Sequence, residues 1–342
     1  MSRRQASTGP SSPFDGAAST PPASTAQLDP ATVEFARAVA RGLNDTPRWV
    51  PSRFLYDARG SWLFERICEL PEYYPTRTEA SILAAHAPAI AEATGPVTLI
   101  ELGSGTSVKT SHLLSAYSEA AGSVEYVSVD VSPAALAEAE QRIAAEHPSV
   151  RVKGVVGRYE DAFRLFRHHS PGMVLFLGST VGNLNHAESL SFWQQVSDHL
   201  TSADFFLLGV DLVKDRRVLE AAYNDTAGVT ARFTKNLWAR MNRELDAGVD
   251  LDALQHVARY DAAWQRIEIF TRFTAPQNVR IAPLDLDIAI GAGEMVMTEI
   301  SRKFVVENLT RYLACFGLHV QRVCTDPRTW FAVLLLQKGE TP

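Results

Sequence analysis

The chain has 342 residues, 46% of them hydrophobic and 21% charged, with 33 Lys plus Arg against 39 Asp plus Glu, a net charge of −6 and a pI near 5.9. That length is enough for two modest domains, or one core with a large insertion, each burying its own interior. Net acidity with scattered rather than striped cations argues against a nucleic-acid groove or an anionic membrane surface and leaves small molecules as the expected partners. Cys68, Cys315 and Cys324 are odd in number and far apart, so neither a disulfide framework nor a zinc site is indicated, and a reducing cytoplasm is the expected compartment.

The first residues, 1–28, are rich in Ser, Thr, Ala, Pro and Gly and read as a disordered tail without the apolar core of a signal peptide. No later stretch approaches the roughly 20 apolar residues that span a bilayer. Order is expected from Asp29-Pro30, a cap and first-turn pair ahead of a helix carrying Val33, Phe35, Ala36 and Val39.

The run Val97 to Leu102 fits a strand buried on both faces, and Gly103-Ser104-Gly105 follows at once. Gly103 and Gly105 let the backbone turn sharply and approach a ligand, after which Ser107 is expected to cap a helix through Leu113 and Leu114. A second apolar run, Val124 to Val129, ends in Asp130, whose carboxylate at a strand's C-terminal end suits the two hydroxyls of a ribose. The dinucleotide pattern asks for a third glycine where Val108 stands, so a pyrophosphate is disfavoured. S-adenosylmethionine, which carries adenine and ribose without phosphate, fits better than a dinucleotide.

Val150 to Val156, Gly172 to Leu177 and Phe205 to Val210 read as further strands with helical patterns between them, which implies a doubly wound parallel sheet. His168-His169 is read as a solvated loop rather than a metal pair, because adjacent side chains diverge and no carboxylate lies at ligand spacing. After Leu177 comes Gly178-Ser179-Thr180-Val181-Gly182-Asn183, small residues and an amide suited either to a plain βα turn or to holding a compact polar substrate. The Asp/Asn-Pro-Pro-aromatic loop expected of enzymes that methylate exocyclic base amines is absent. The segment between Asp211 and Phe304 is too long for one crossover and carries strand-like runs around Ile267 to Phe273 and Leu284 to Ile290, so it is read as an inserted domain. Val320 to Cys324 and Phe331 to Leu336, around the turn Thr325-Asp326-Pro327-Arg328, read as a terminal hairpin. In Thr298 to Phe304, a strand would point Glu299 and Ser301 to one side, which fits a solvated edge strand or a grip on an imidazole, accepting its N–H groups or favouring its charged form.

Several long blocks then carry a resemblance. Phe54 to Ser61, Leu70 to Glu79, Glu101 to Thr110, Gly178 to Leu184, Gly209 to Asp215, Tyr223 to Thr230 and Thr298 to Phe304 occur in an order that resembles the bacterial histidine-specific Nα-methyltransferases, the S-adenosylmethionine enzymes that open ergothioneine biosynthesis. The likeness runs from about residue 30 to the C-terminus. It implies an α/β chain: a class I methyltransferase (Rossmann-like) sheet with a C-terminal antiparallel hairpin and an inserted α+β substrate-binding domain. Residues 29–78 plus 214–303 would form the substrate domain, and 79–213 plus 304–342 the methyltransferase domain.

By the same resemblance Gly103, Lys109, Asp130, Arg158, Tyr159 and Ser179 lie at the cofactor, with Lys109 facing the methionine carboxylate. Tyr73, Asn183 and Tyr223 surround the substrate amino acid, Glu299 and Ser301 grip its ring, and Tyr56 and the Gly178 carbonyl lie near the reacting amine. The implied product is hercynine, made by three methylations of L-histidine by a monomer with no metal. The pattern is broken at Arg158, where relatives place an acidic residue before the aromatic; a guanidinium cannot accept a hydrogen bond from the adenine amine. Two other readings stay open: methylation of tryptophan or tyrosine on the same scaffold, and a cofactor-binding protein without turnover.

Overall fold

The computed structural model describes residues 29–105 and 107–339; the expected tail, 1–28, lies outside them. The chain enters through α1 (Pro30–Leu43), α2 (Ala58–Cys68) and α3 (Pro75–Thr94). It then alternates β1 (Thr98–Leu102), α4 (Ser111–Ala121), β2 (Val124–Asp130), α5 (Pro133–Glu146), β3 (Val150–Val156), α6 (Tyr159–His168), β4 (Gly172–Phe176), α7 (His186–His199) and β5 (Phe205–Asp211). Two helices, α8 (Arg216–Tyr223) and α9 (Val229–Leu245), lead into β6 (Leu254–Asp261), β7 (Arg266–Phe273), β8 (Gln277–Ile281), β9 (Leu286–Ile290) and β10 (Met295–Arg302). The chain closes with α10 (Val306–Ala314), β11 (Leu318–Thr325) and β12 (Phe331–Lys338).

Seven strands form one sheet in the order β11-β12-β5-β4-β1-β2-β3, in which β12 runs antiparallel to β5 and β11 while the other neighbours are parallel. This is the class I methyltransferase arrangement expected from the alternating pattern and the terminal hairpin. Its strands are apolar on both faces because helices cover both: Leu99 packs in one layer with Leu113 and Met173, while Ile100 and Leu102 pack in the other with Val127 and Trp193.

A separate apolar core joins the N-terminal helices to the segment after β5, gathering Phe35, Leu55, Leu237, Trp238, Phe273 and Val296. A three-stranded antiparallel sheet, β10-β7-β6, and the hairpin β8-β9 belong to this part. The chain leaves the large sheet after Asp211 and returns beside it: the Phe304 amide donates to the Asp211 carbonyl at 2.9 Å, and the Val213 amide to the Phe304 carbonyl at 3.0 Å. That doubled crossing places the end of β10 against the C-terminal end of β5.

Three local expectations change. Ser107 does not cap α4; it takes a left-handed φ of 56° and its hydroxyl pairs with that of Tyr126 at 2.8 Å, so the loop runs on to Thr110 before the helix starts. His168 and His169 are not in a loop but end α6, their rings set edge-on at 90°, which confirms only that adjacent side chains diverge. The Asp29 side chain makes no cap bond, and Pro30 alone marks the start of α1. Among the described residues no helix is long and apolar enough to cross a membrane, and no group of three or more His, Cys, Asp or Glu could hold a metal ion.

Candidate active site

The C-terminal ends of β1, β2 and β4 meet at one edge of the large sheet, where chain reversals leave backbone groups exposed. Gly103 and Ser104 both donate their amides to the Val129 carbonyl, at 2.8 and 3.2 Å, which ties the turn after β1 to the end of β2. Gly103 has a φ of +68°, and a Cβ there would stand 3.3 Å from the Tyr159 ring, so a side chain would close the gap between the two. Asp130 holds the next turn: Oδ2 accepts the Gly105 amide at 2.8 Å and Oδ1 the Ser132 amide at 2.9 Å. Each oxygen keeps a lone pair, enough for two ribose hydroxyls. Ser104 is buried and its Oγ has no partner among the described residues. An unpaired hydroxyl, a carboxylate with spare acceptors and a side-chain-free approach are the features that an adenosyl group requires, and S-adenosylmethionine therefore fits this edge.

Beneath it lie two acids that the sequence reading left unassigned. Glu101 is buried; it accepts from Thr110 Oγ1 at 2.7 Å and from the Tyr126 hydroxyl, and burial pushes its carboxyl up to about 7 despite both bonds. Glu79, on α3 and fully buried, accepts the Gly178 amide on both carboxylate oxygens at 2.8 and 2.9 Å and forms an ion pair with Lys109. Burial pulls the Lys109 ammonium down, but the Glu79 charge beside it wins and holds it above its ordinary value. Glu79 so fixes both the lysine and the turn after β4. Its signal in the sequence was its place at the end of a quoted block, with nothing to say it would be buried.

In that turn Gly178 and Ser179 are both left-handed, at φ 74° and 56°. Ser179 Oγ accepts the Asp211 amide at 2.9 Å, which leaves it one lone pair and its hydroxyl hydrogen. A Cβ on Gly182 would stand 2.9 Å from the Arg302 carbonyl oxygen, so the turn packs directly on β10. This brings Asn183 to Glu299: Nδ2 donates to Oε1 at 2.7 Å across 116 residues of sequence. Burial pushes the Glu299 carboxyl up to about 7, opposed by the Asn183 bond and the Lys303 charge.

Next to it the Tyr223 and Ser301 hydroxyls pair at 2.9 Å. Behind both sits Lys303, which the sequence reading also missed. Its side chain has no exposed surface, and its Nζ donates to Ser301 Oγ at 2.8 Å, to the Tyr223 hydroxyl at 2.9 Å and to Asp211 Oδ2 at 2.8 Å. Asp211 also accepts from the Tyr74 hydroxyl at 2.8 Å and forms an ion pair with Lys214. Alternation along β10 was the available signal, since 299, 301 and 303 fall on one side.

Aromatic rings wall this cluster. Tyr56 stands edge-on to Phe64 at 5.6 Å and to Phe233 at 5.4 Å, and Tyr73 stands edge-on to Phe64 at 6.2 Å and to Tyr223 at 6.0 Å. Burial first, and then the Glu299 charge, raises the Tyr56 hydroxyl well above its ordinary value; burial and Tyr223 do the same for Tyr73. Both phenols stay protonated at neutral pH, so they serve as hydrogen-bond groups and not as bases.

The turn after β4 joins the two groups of residues: a Cβ on Gly178 would stand 3.5 Å from Lys109 Nζ, and Asn183 at the end of the same turn reaches Glu299 at 2.7 Å. Arg158 is the exception. It is 47% exposed and forms an ion pair with Glu34 of α1, while Glu34 also accepts from Arg53 at 3.1 Å. The Arg158 amide donates to Asp161 at 2.9 Å, so backbone and guanidinium alike are committed away from the ring of Tyr159.

The model of the S-adenosylmethionine-dependent, histidine-specific methyltransferases matches residues 35–338. The chain is 44% identical over 307 residues to the histidine N-alpha-methyltransferase of Mycolicibacterium smegmatis, covering 90% of this chain and 96% of that protein. It is 41% identical over 302 residues to the histidine N-alpha-methyltransferase of Mycobacterium tuberculosis, covering 88% and 94%. Ergothioneine biosynthesis protein 1 of Neurospora crassa is 36% identical over 200 residues, which is 56% of this chain and 22% of that longer one. The chain therefore belongs to the family of histidine-specific, S-adenosylmethionine-dependent methyltransferases.

Proposed function

We propose that this chain methylates the α-amine of L-histidine three times to give hercynine, and that each residue of the cleft has a definite part in it. The chain is an S-adenosylmethionine-dependent histidine Nα-methyltransferase of ergothioneine biosynthesis. The observation that carries the assignment of parts is the Glu299 carboxylate, oriented by Asn183 and set beside the Tyr223–Ser301 hydroxyl pair. Residues 29–78 plus 214–303 form the substrate lobe in this reading, and 79–213 plus 304–342 the methyltransferase lobe. The protein works as a cytoplasmic monomer.

Bound S-adenosylmethionine supplies an activated sulfonium methyl and a neutral thioether leaving group. Gly103, Ser104, Asp130 and Tyr159 hold its adenosyl part, Lys109 meets its carboxylate, and Ser179 lies beside it. Glu299 and Ser301 take the histidine ring; Tyr73, Asn183 and Tyr223 take its amino-acid end. Tyr56 and the Gly178 carbonyl would hold the substrate amine. The bound group would give its methyl to the amine and leave as the neutral thioether, and the amine proton passes to solvent, since both phenols are protonated. Orientation and exclusion of water are the protein's contribution.

The test is incubation of the purified protein with S-adenosylmethionine and each of the twenty amino acids, with mass detection of products. Histidine should gain one, two and three methyl groups. A product that stops at one methyl refutes the trimethylation, and better turnover of tryptophan or tyrosine refutes the ring assignment.

A further inference from the structure

Lys303 is a full positive charge with no exposed side-chain surface, set directly behind two groups that the proposed function gives to the substrate. An ammonium has three hydrogens and no lone pair. All three are spent: on Asp211 Oδ2 at 2.8 Å, Tyr223 at 2.9 Å and Ser301 at 2.8 Å. Lys303 therefore fills one acceptor position on each hydroxyl, and those hydroxyls own two hydrogens between them. One is used in their mutual bond at 2.9 Å, and the other has nowhere to go but the cleft.

A ligand that enters between them breaks the mutual bond and meets two hydroxyls backed by the same cation; each has its hydrogen to donate, and accepting from a positively charged ring would set cation against cation across a single oxygen. An imidazole nitrogen bearing a hydrogen would face a hydroxyl already turned outward as a donor, with an ammonium one bond behind it. A bare imidazole nitrogen meets the complementary group. On the other side Glu299, whose Oε1 already accepts from Asn183, offers an acceptor for one ring N–H.

Resting on the histidine reading above, we propose that Lys303 is a positioning residue that turns the Ser301 and Tyr223 hydroxyls outward as donors, so that the site takes the substrate's ring only as neutral imidazole, with its N–H on Glu299 and its bare nitrogen on Ser301. The same charge, relayed through the Tyr223 hydroxyl, draws the substrate carboxylate to that side. Asp211 keeps the ammonium in place and is itself shared with Tyr74 and Lys214. The charged or titratable groups around the pair are Glu299, Asp211, Lys214, Tyr56, Tyr73, Tyr74, Tyr260 and His256; His256 pairs through Nε2 with the Tyr223 carbonyl at 2.8 Å, burial holds it below its ordinary value, and its titration acts on both substrates of the test alike. Of these Glu299 titrates near neutrality, and Lys214, which burial lowers to about 8 against the pull of Asp211, titrates just above it.

The experiment compares kcat/KM for histidine with that for triazolylalanine, whose ring stays neutral from pH 5.5 to 8.5 (about one unit or more either side of the imidazole value of about 6.5). Titration of Glu299 or Lys214 affects both substrates and cancels in the ratio; ring protonation affects histidine alone. For the wild-type protein the ratio should fall about tenfold for each pH unit below about 6.5. In Lys303→Met the ratio should flatten, and KM for histidine should rise about tenfold or more with a smaller change in kcat. In Tyr223→Phe the fall should persist, because Lys303 still fills an acceptor position on Ser301.

A wild-type ratio that stays level or rises on acidification overturns the inference, whether or not Lys303→Met folds. So does a ratio that survives in a folded Lys303→Met, or is lost in Tyr223→Phe. No methylation of histidine by the wild-type protein at any pH would sink the underlying reading instead, which keeps the two failures apart.

Discussion

The two halves of the cleft are built in opposite ways. The cofactor edge is made of short consecutive segments: Asp130 ends one strand, Gly103 and Tyr159 follow the ends of its two neighbours, and the main contacts are backbone amides on one carboxylate. The substrate side is assembled from Tyr56, Tyr73, Asn183, Tyr223 and Glu299, which come from four distant stretches and meet only because the chain leaves the sheet at Asp211 and returns at Phe304. The first kind of site rests on local turns of the backbone, set over the buried Glu79 and Glu101. The second buries charge, and each polar group there depends on another to be satisfied.

The largest effect is expected where the halves share a residue. Glu79 carries both the Lys109 ammonium and the Gly178 amide from a fully buried position. Glu79→Gln keeps an acceptor for the amide but leaves the ammonium without its counter-charge, and breaking a buried pair costs about 3 kcal/mol. Denaturant unfolding should show that loss, and calorimetry should show weaker S-adenosylmethionine and histidine binding together. A variant that lost only one of the two would show that the halves are independent at this point.

Away from that junction the halves should separate. Asp130→Ala should weaken S-adenosylmethionine binding tenfold to about a hundredfold while leaving histidine binding in place, since it removes acceptors from the cofactor edge alone. Glu299→Ala should do the reverse, lowering kcat/KM for histidine by about a hundredfold with cofactor affinity unchanged. Loss of cofactor binding in Glu299→Ala would place the carboxylate on the wrong side of the cleft.

Acidity sharpens the same contrast. Glu299 titrates at about 7 because burial disfavours its charge, so it accepts a ring N–H fully only above that pH. KM for histidine should rise as pH falls through 7, severalfold within one unit, and this rise should be absent from Glu299→Gln. Asn183→Ala removes the bond that lowers this carboxyl, so the midpoint should move upward. For stability the sign is opposite: a carboxyl raised from its ordinary 4.5 favours folding below that value, and this contribution is lost as pH rises to about 7. Glu299→Gln should remove that loss, so its melting temperature should gain on the wild type across this window.

Which parts could be read from the sequence follows from the same division. Strand, glycine turn and strand-end acid are local patterns, and the parallel sheet and terminal hairpin followed from them. Strand β6 was missed because Leu254 is its one buried residue and its exposure scarcely alternates, whereas β8 alternates as cleanly as β9 and was legible from Val279 and Ile281. Ser107 was misread as a cap because its tyrosine partner lies on a different strand. Glu79, Lys303 and Asp211 stood in conspicuous blocks, but nothing local says that a charged residue will be buried; only the partner across the fold allows it.

Arg158 is where the smallest change is expected and where the cofactor edge is most open to revision. The guanidinium is half in water and paired with Glu34, a contact between exposed groups that contributes about 1 kcal/mol or less. Arg158→Asp removes that pair and puts an acceptor beside Tyr159, where the adenine amine is expected, so cofactor Kd should hold or tighten by a fewfold within about 1 kcal/mol. The new carboxylate would also stand near Glu34, and this like-charge contact should be relieved by adding Glu34→Gln. A double variant that binds S-adenosylmethionine more tightly than Arg158→Asp alone, by titration calorimetry at low salt, fits that account. A large loss of affinity in the single variant that Glu34→Gln does not restore would show that the guanidinium itself touches the adenosyl group, and the cofactor edge would then depend on a distant partner as the substrate side does.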